Sequence, residues 1–156
     1  MVQVLSKSEA ETKKIGQKLG QIIKKNKGSV IIGLIGDLGG GKTTFVKGIA
    51  SGLGVKGSIT SPTFTLLKEY KTKDLNLYHF DFYRLKDIND AKNLGLEEYF
   101  EKSRSIVIIE WADRIKNILP DEKIIIEFDF ISQNERRLTL KAKGKIPKEL
   151  IKKINF

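Results

Sequence analysis

Val30-Ile-Ile-Gly-Leu-Ile35 runs directly into Gly36-Asp-Leu-Gly-Gly-Gly-Lys-Thr43. The second stretch fits G-x-x-x-x-G-K-[S/T], a phosphate-binding loop, and it lies where such a loop must lie, after an apolar strand and before a helix expected over about Lys42 to Leu53. Gly39, Gly40 and Gly41 let the backbone turn so that successive N–H groups of residues 39–44 converge on phosphate oxygens. Lys42 has the reach for the β- and γ-phosphates, the Thr43 hydroxyl can ligate Mg²⁺, and Thr44 adds a further N–H. The following helix turns its positive dipole end towards the anion. The four fixed positions arise by chance roughly once in 200 chains of this length.

The rest of the composition limits what else the chain can be. Its 156 residues suit one domain, and 40% hydrophobic with 31% charged residues is a globular balance. No apolar run approaches the ~18–20 residues of a membrane span. The N-terminus lacks a basic segment followed by an apolar one, so no secretory signal is expected. There are no cysteines, which removes disulfide and thiolate chemistry and agrees with a cytoplasmic location. With a single histidine, a multi-histidine metal site is excluded, leaving a hard cation on oxygen ligands, most simply Mg²⁺. The net charge of +10 is compatible with nucleic acid or an acidic partner, and equally with a solvated lysine-rich surface. Its densest cluster is Lys141, Lys143, Lys145, Lys148, Lys152 and Lys153, in and before a basic C-terminal tail over 145–156. No aromatics are interleaved there, which argues against a stacking platform for single strands.

Along the chain, Val2–Leu5 reads as a strand. Ser8-Glu-Ala-Glu11 reads as a capping box opening a helix to about Lys25, with Ala10, Ile15, Leu19, Ile22 and Ile23 as its apolar face. Gly52-Leu-Gly-Val-Lys-Gly57 matches G-x-G-x-x-G but follows a helix, so it reads as a helix terminus rather than a dinucleotide site. Thr63–Lys71 and Leu75–Phe82 read as a hairpin, Ile88–Phe100 as a helical patch and Ser105–Glu110 as a strand covered on both faces. A short helix over Ala112–Leu119 is closed by Pro120. Lys123–Phe130 and Arg137–Ala142 then read as an antiparallel pair. The expected architecture is a single α/β domain, a P-loop NTPase-like mixed sheet sandwiched by helices.

Phosphate chemistry also needs a metal carboxylate and a group that orients the attacking nucleophile. Glu110 ends Ile106-Val-Ile-Ile109, the Walker-B pattern of an acid after four aliphatics, and Asp81 ends Leu75-Asn-Leu-Tyr-His-Phe80. By that pattern Glu110 is the better candidate for the metal and Asp81 the second. Thr60-Ser-Pro-Thr63 is a turn with three hydroxyls around Pro62, placed like a loop that senses a γ-phosphate. His79 reads as a structural histidine, and Trp111 as packing beside the site or core filler.

Taken together, these motifs give the chain a resemblance to a known family. Gly36-Asp-Leu-Gly-Gly-Gly-Lys-Thr-Thr44, Ser61-Pro-Thr-Phe64 with Glu69-Tyr70, His79-Phe-Asp-Phe-Tyr-Arg84 and Glu110-Trp-Ala-Asp-Arg114 resemble the TsaE (YjeE) family in order and spacing. The resemblance implies a small bacterial ATPase that binds ATP and Mg²⁺ and hydrolyses ATP slowly alone. It would support N6-threonylcarbamoyladenosine formation on tRNA by the TsaD and TsaB proteins, meeting tRNA through the complex. By the same resemblance Lys42 matches the phosphate cradle, Thr43 and Glu110 the Mg²⁺ positions, and Asp81 the acid of the H-x-D-x-Y-R motif, at or near the metal and the attacking water. Ser61 and Thr63 match a switch-like loop and Trp111 an aromatic beside the second acid. Thr12 and one arginine, Arg136 or its neighbour Arg137, match positions near the nucleotide base, with Arg136 favoured. On the phosphate loop alone two other classes stay open: a small-molecule or nucleotide kinase, and a basic RNA-binding module using nucleotide as a structural ligand.

Overall fold

The alternation of apolar residues on the central strands decides which helices cover which face of the sheet. In β2 (Val30–Gly36), Val30, Ile32 and Leu34 point to one side and Ile31 to the other. In β5 (Ser105–Glu110), Ile106 and Ile108 share the first side while Val107 and Ile109 share the second. Both strands are apolar on both faces because both faces are covered. The computed structural model describes residues 1–155.

One seven-stranded mixed sheet runs in the order β1-β7-β6-β2-β5-β4-β3. Its parallel centre comprises β6 (Lys123–Phe130), β2, β5 and β4 (Asn76–Asp81). Antiparallel strands complete it: β7 (Arg136–Lys143) and β1 (Val2–Ser6) at one edge, β3 (Leu67–Lys71) at the other. Helices α1 (Glu9–Lys24), α2 (Lys42–Leu53) and α5 (Lys145–Lys152) pack on the first face through Ile15, Leu19, Phe45, Ile49, Leu150 and Ile151. The shorter α3 (Ile88–Asn93), α4 (Leu96–Glu101) and a 3-10 turn at Ala112–Ile115 cover the second. The sandwiched mixed sheet expected from the sequence is therefore the observed architecture.

Several boundaries differ from the sequence reading. Ser8 caps α1 by accepting the Glu11 N–H, but the Glu11 carboxylate returns to the N–H of Lys7 rather than Ser8, so only half of the box forms. Ala10 is exposed, and Thr12, Gly16 and Gly20 take the buried positions instead. The reason is close helix contact. A Cβ added at Gly16 would lie 2.4 Å from the Phe45 carbonyl oxygen and one at Gly48 2.1 Å from that of Lys13, so α1 and α2 meet backbone to backbone. Residues 63–66 form a turn, and β3 begins only at Leu67. Gly95 in the left-handed region splits Ile88–Phe100 into α3 and α4. Gly54, also left-handed, ends α2 with its N–H on the carbonyls of Ala50 and Ser51, the helix terminus expected there. Within the basic segment, Lys145–Lys152 form α5.

Candidate functional site

The carboxyl ends of β2, β4 and β5 open into a cleft of about 520 Å³ between the start of α1, the loop before α2 and the tip of the β6–β7 hairpin. Gly41 caps α2 at φ 95, and Gly39 has φ 73, backbone values that favour glycine over every other residue. No side chain caps α2, so its first N–H groups face the cleft. Thr12 touches this loop: its Cγ2 would lie 3.5 Å from a Cβ at Gly41, while its hydroxyl is 2.7 Å from that of Ser6. Thr44 donates to Glu9.

Lys42 is only 4% exposed. Its Nζ donates to the carbonyls of Gly36 at 2.6 Å and Asp37 at 2.8 Å, and lies 4.2 Å from the centre of the Trp111 ring. Burial holds the ammonium below the ordinary lysine pKa, although Glu110, Asp81, Asp37 and Asp113 pull it back up. Trp111 reaches this place from a left-handed backbone (φ 61) and packs against Tyr83 at 5.1 Å. A bulky residue in that region marks stored strain next to the acid that precedes it.

The two acids sit side by side in the register, Asp81 opposite Glu110. The Thr43 hydroxyl donates to both Glu110 oxygens, at 3.0 and 3.1 Å. On the other side the buried His79 Nε2 donates to Glu110 Oε1 at 2.8 Å. His79 Nδ1 is buried without a partner, so the imidazole's one polar contact is with this carboxylate. Asp81 Oδ2 accepts the hydroxyls of Ser61 (2.8 Å) and Thr63 (2.9 Å), and Oδ1 accepts the Tyr83 N–H. Among the described residues no group of three or more His, Cys, Asp or Glu is arranged as a metal cage. A hydroxyl and one or two carboxylates instead match a small hard cation that takes its remaining oxygens from phosphate and water.

Known proteins resemble the chain along most of its length. The sequence profile described as "Threonylcarbamoyl adenosine biosynthesis protein TsaE" matches residues 6–138. The chain belongs to the TsaE family. The tRNA threonylcarbamoyladenosine biosynthesis protein TsaE of Bacillus subtilis is 45% identical over 114 residues, 73% of this chain and 70% of that one. The protein of the same name from Haemophilus influenzae is 36% identical over 140 residues, covering 88% and 87%. The crystal structure titled Bacillus subtilus YdiB superposes with a TM-score of 0.81 at 35% identity, covering 97% of this chain and 91% of that one.

On this TsaE scaffold, one cleft is lined by Thr12, Gly39, Gly40, Gly41, Lys42, Thr43, Thr44, Ser61, Thr63, Asp81, Glu110, Trp111 and Arg136 of the residues singled out from the sequence, and not by Thr60 or His79. Arg136, not the exposed Arg137, lines it, donating to the carbonyls of Ser132, Gln133, Glu135 and Gly39. Sequence reasoning missed Ser8, Glu9, Leu38, Tyr83, Gln133 and Asn134 in the wall, and the bond of His79 to Glu110. The alternation of β4 carried the signal for His79, because Leu77, His79 and Asp81 share the α2 side of the sheet.

Proposed function

We propose that the chain is an ATPase whose hydrolysis of Mg-ATP supports tRNA threonylcarbamoyladenosine formation carried out by TsaD and TsaB partner proteins. Membership of the TsaE family gives the tRNA-modification role. The observation that carries the ATPase reading is the Thr43–Glu110 pair at the foot of a glycine-capped helix with a buried lysine.

The N–H groups of residues 39–44 and Lys42 Nζ bind the phosphates, with Nζ exchanging a loop carbonyl for a phosphate oxygen. Thr43 and Glu110 would hold Mg²⁺, with Asp81 beside them. The threonine hydroxyl has one proton and two lone pairs, so it can ligate a cation while still donating to Glu110. Bound Mg²⁺ supplies charge neutralisation at the phosphoryl oxygens. His79 fixes the Glu110 rotamer through Oε1. Asp81 would orient the attacking water, directly or beside the metal site. Because its carboxylate also holds Ser61 and Thr63, a change at the γ-phosphate is transmitted to the 61–66 loop.

Lys42→Ala should lower ATP turnover by ~10²–10³-fold, the scale of losing one preorganised charge contact, and abolish ATP-dependent stimulation of tRNA modification by the partner proteins. Normal multi-turnover modification with that variant would overturn the reading.

A further inference from the structure

The chain's positive charge is unevenly distributed. Residues 58–144 hold 15 lysines and arginines against 15 acids and are neutral. Residues 1–57 hold ten basic residues against three acids, and residues 145–156 four against one, so these two segments carry the whole +10. They are far apart in sequence, yet their helices α1, α2 and α5 form one layer on one face of the sheet. Lys18 Nζ on the Asn155 carbonyl ties the ends of that layer together. Lys13, Lys14, Lys24, Lys25, Lys47, Lys148 and Lys152 are exposed on it. Among the described residues no lysine of these helices makes an ion pair, whereas Lys141 and Lys143 on β7 are neutralised by Glu127 and Asp121.

We propose that the α1–α2–α5 face binds the sugar–phosphate backbone of structured RNA, the tRNA substrate itself. All 14 basic residues of the two segments are lysines, and the five arginines lie elsewhere. Lysine presents a compact point charge suited to phosphates, without the planar fork that reads guanine edges. The face therefore fits backbone contact without base readout. With α1 alone about 24 Å long, the layer is extended enough to follow several phosphates. An anionic membrane is the poorer match, since surface-bound helices insert apolar side chains. The exposed large hydrophobics are Met1, Leu5, Leu38, Phe64, Tyr83, Phe130 and Ile131, and none lies on α1, α2 or α5. An acidic protein surface would also want aromatic or apolar anchors, which this face lacks.

The test is binding of the full chain to a folded tRNA transcript, by fluorescence anisotropy across a KCl series. The expected plot of log Kd against log salt is linear with a slope of magnitude about 4 to 7, the signature of about five to eight neutralised phosphates. Lys14→Glu, Lys25→Glu, Lys148→Glu and Lys152→Glu combined should weaken binding more than tenfold while leaving ATP turnover unchanged. The same four sites changed to Gln should weaken it less and in the same direction, which keeps the test open should the reversed variant fold poorly. A control reversing Lys71, Lys86, Lys92 and Lys116, all exposed on the neutral part, should change Kd by less than about twofold. Equal loss in the control would overturn the proposal, leaving net charge alone as the cause. Binding to phosphatidylglycerol vesicles at the same salt with none to tRNA would overturn it in favour of a membrane. Because the ATPase is read separately, its absence would count against the proposed function and not against this face.

Discussion

The loop at Gly36–Thr43 lies between a buried central strand and a helix, whereas the loop at Thr60–Leu66 leads only into β3, the edge strand of the sheet. The first is held by its own backbone: glycines in the left-handed region, Lys42 on two loop carbonyls, and α2 clamped against α1. The second is held by side chains, through the hydroxyls of Ser61 and Thr63 on one oxygen of Asp81. It also contains Leu66 at φ 63, a conformation unfavourable for that residue, and leaves Phe64 82% exposed against Arg84. The contrast is between a seat that keeps its shape and a strap whose fastening is one carboxylate. That carboxylate also lines the cleft opposite Glu110, so whatever moves Asp81 loosens the strap.

The largest expected effect breaks the strap and the chemistry together. Asp81→Asn keeps the size of the side chain but removes the charge that the two hydroxyls share and that the proposed function uses to orient the attacking water. ATP turnover should fall by about 10²-fold or more, the usual contribution of a positioned acid or base. Hydrogen exchange should rise at residues 61–66 and stay unchanged at 36–43. Equal exchange changes in both loops would erase the distinction between them.

A change in the foundation of the rigid loop should cost stability without touching any polar group of the cleft. Gly48→Ala places a Cβ where Lys13 O stands 2.1 Å away, forcing α2 off α1. Overpacking of this kind costs about 1–3 kcal/mol, readable as a lower urea midpoint. An unchanged midpoint would mean that the helix pair yields easily and that the seat is softer than argued. Smaller still is the effect of Ser61→Ala with Thr63→Ala. Those residues are partly exposed, so folding stability should barely move, while exchange at 61–66 should rise several-fold and the ATPase should keep most of its rate. Loss of activity as deep as with Asp81→Asn would instead give the hydroxyls a direct catalytic part.

The same contrast explains what was legible in the sequence. A backbone-built loop must be spelled in glycine, so Gly39, Gly40 and Gly41 announced it, and the aliphatic runs before Gly36 and Glu110 announced the strands that carry it. The strap is spelled in serine, threonine and proline, which ordinary turns also use, so its residues marked it only weakly, by their place after the phosphate-loop helix, and resemblance to the TsaE family strengthened the reading. Residues 63–66 were accordingly read as strand. The α1–α2 contact was hidden because Gly16 and Gly20 look like helix weaknesses until Gly48 and Gly52 lie opposite them. The tip of the β6–β7 hairpin at Gln133 and Asn134 reached the cleft through sheet order, which no local pattern states. The charge layer was hidden likewise, since α5 joins α1 only in three dimensions.

The finest distinction concerns a proton. Burial holds Lys42 below the usual lysine value within the protein alone, with neighbouring carboxylates opposing that shift. A polyphosphate adds negative charge beside Nζ and raises the pKa again. Between the two values the complex binds more protons than the free chain does. Affinity is therefore full below the free-chain pKa and declines as pH rises through it towards the value in the complex. Calorimetric titration with ATP at alkaline pH, repeated in buffers of different ionisation enthalpy, should register uptake of a fraction of a proton per site. The signal should vanish in Lys42→Met and persist in Ser61→Ala with Thr63→Ala. Uptake that survives Lys42→Met would assign the proton to another group and mean that Lys42 is already protonated in the free chain.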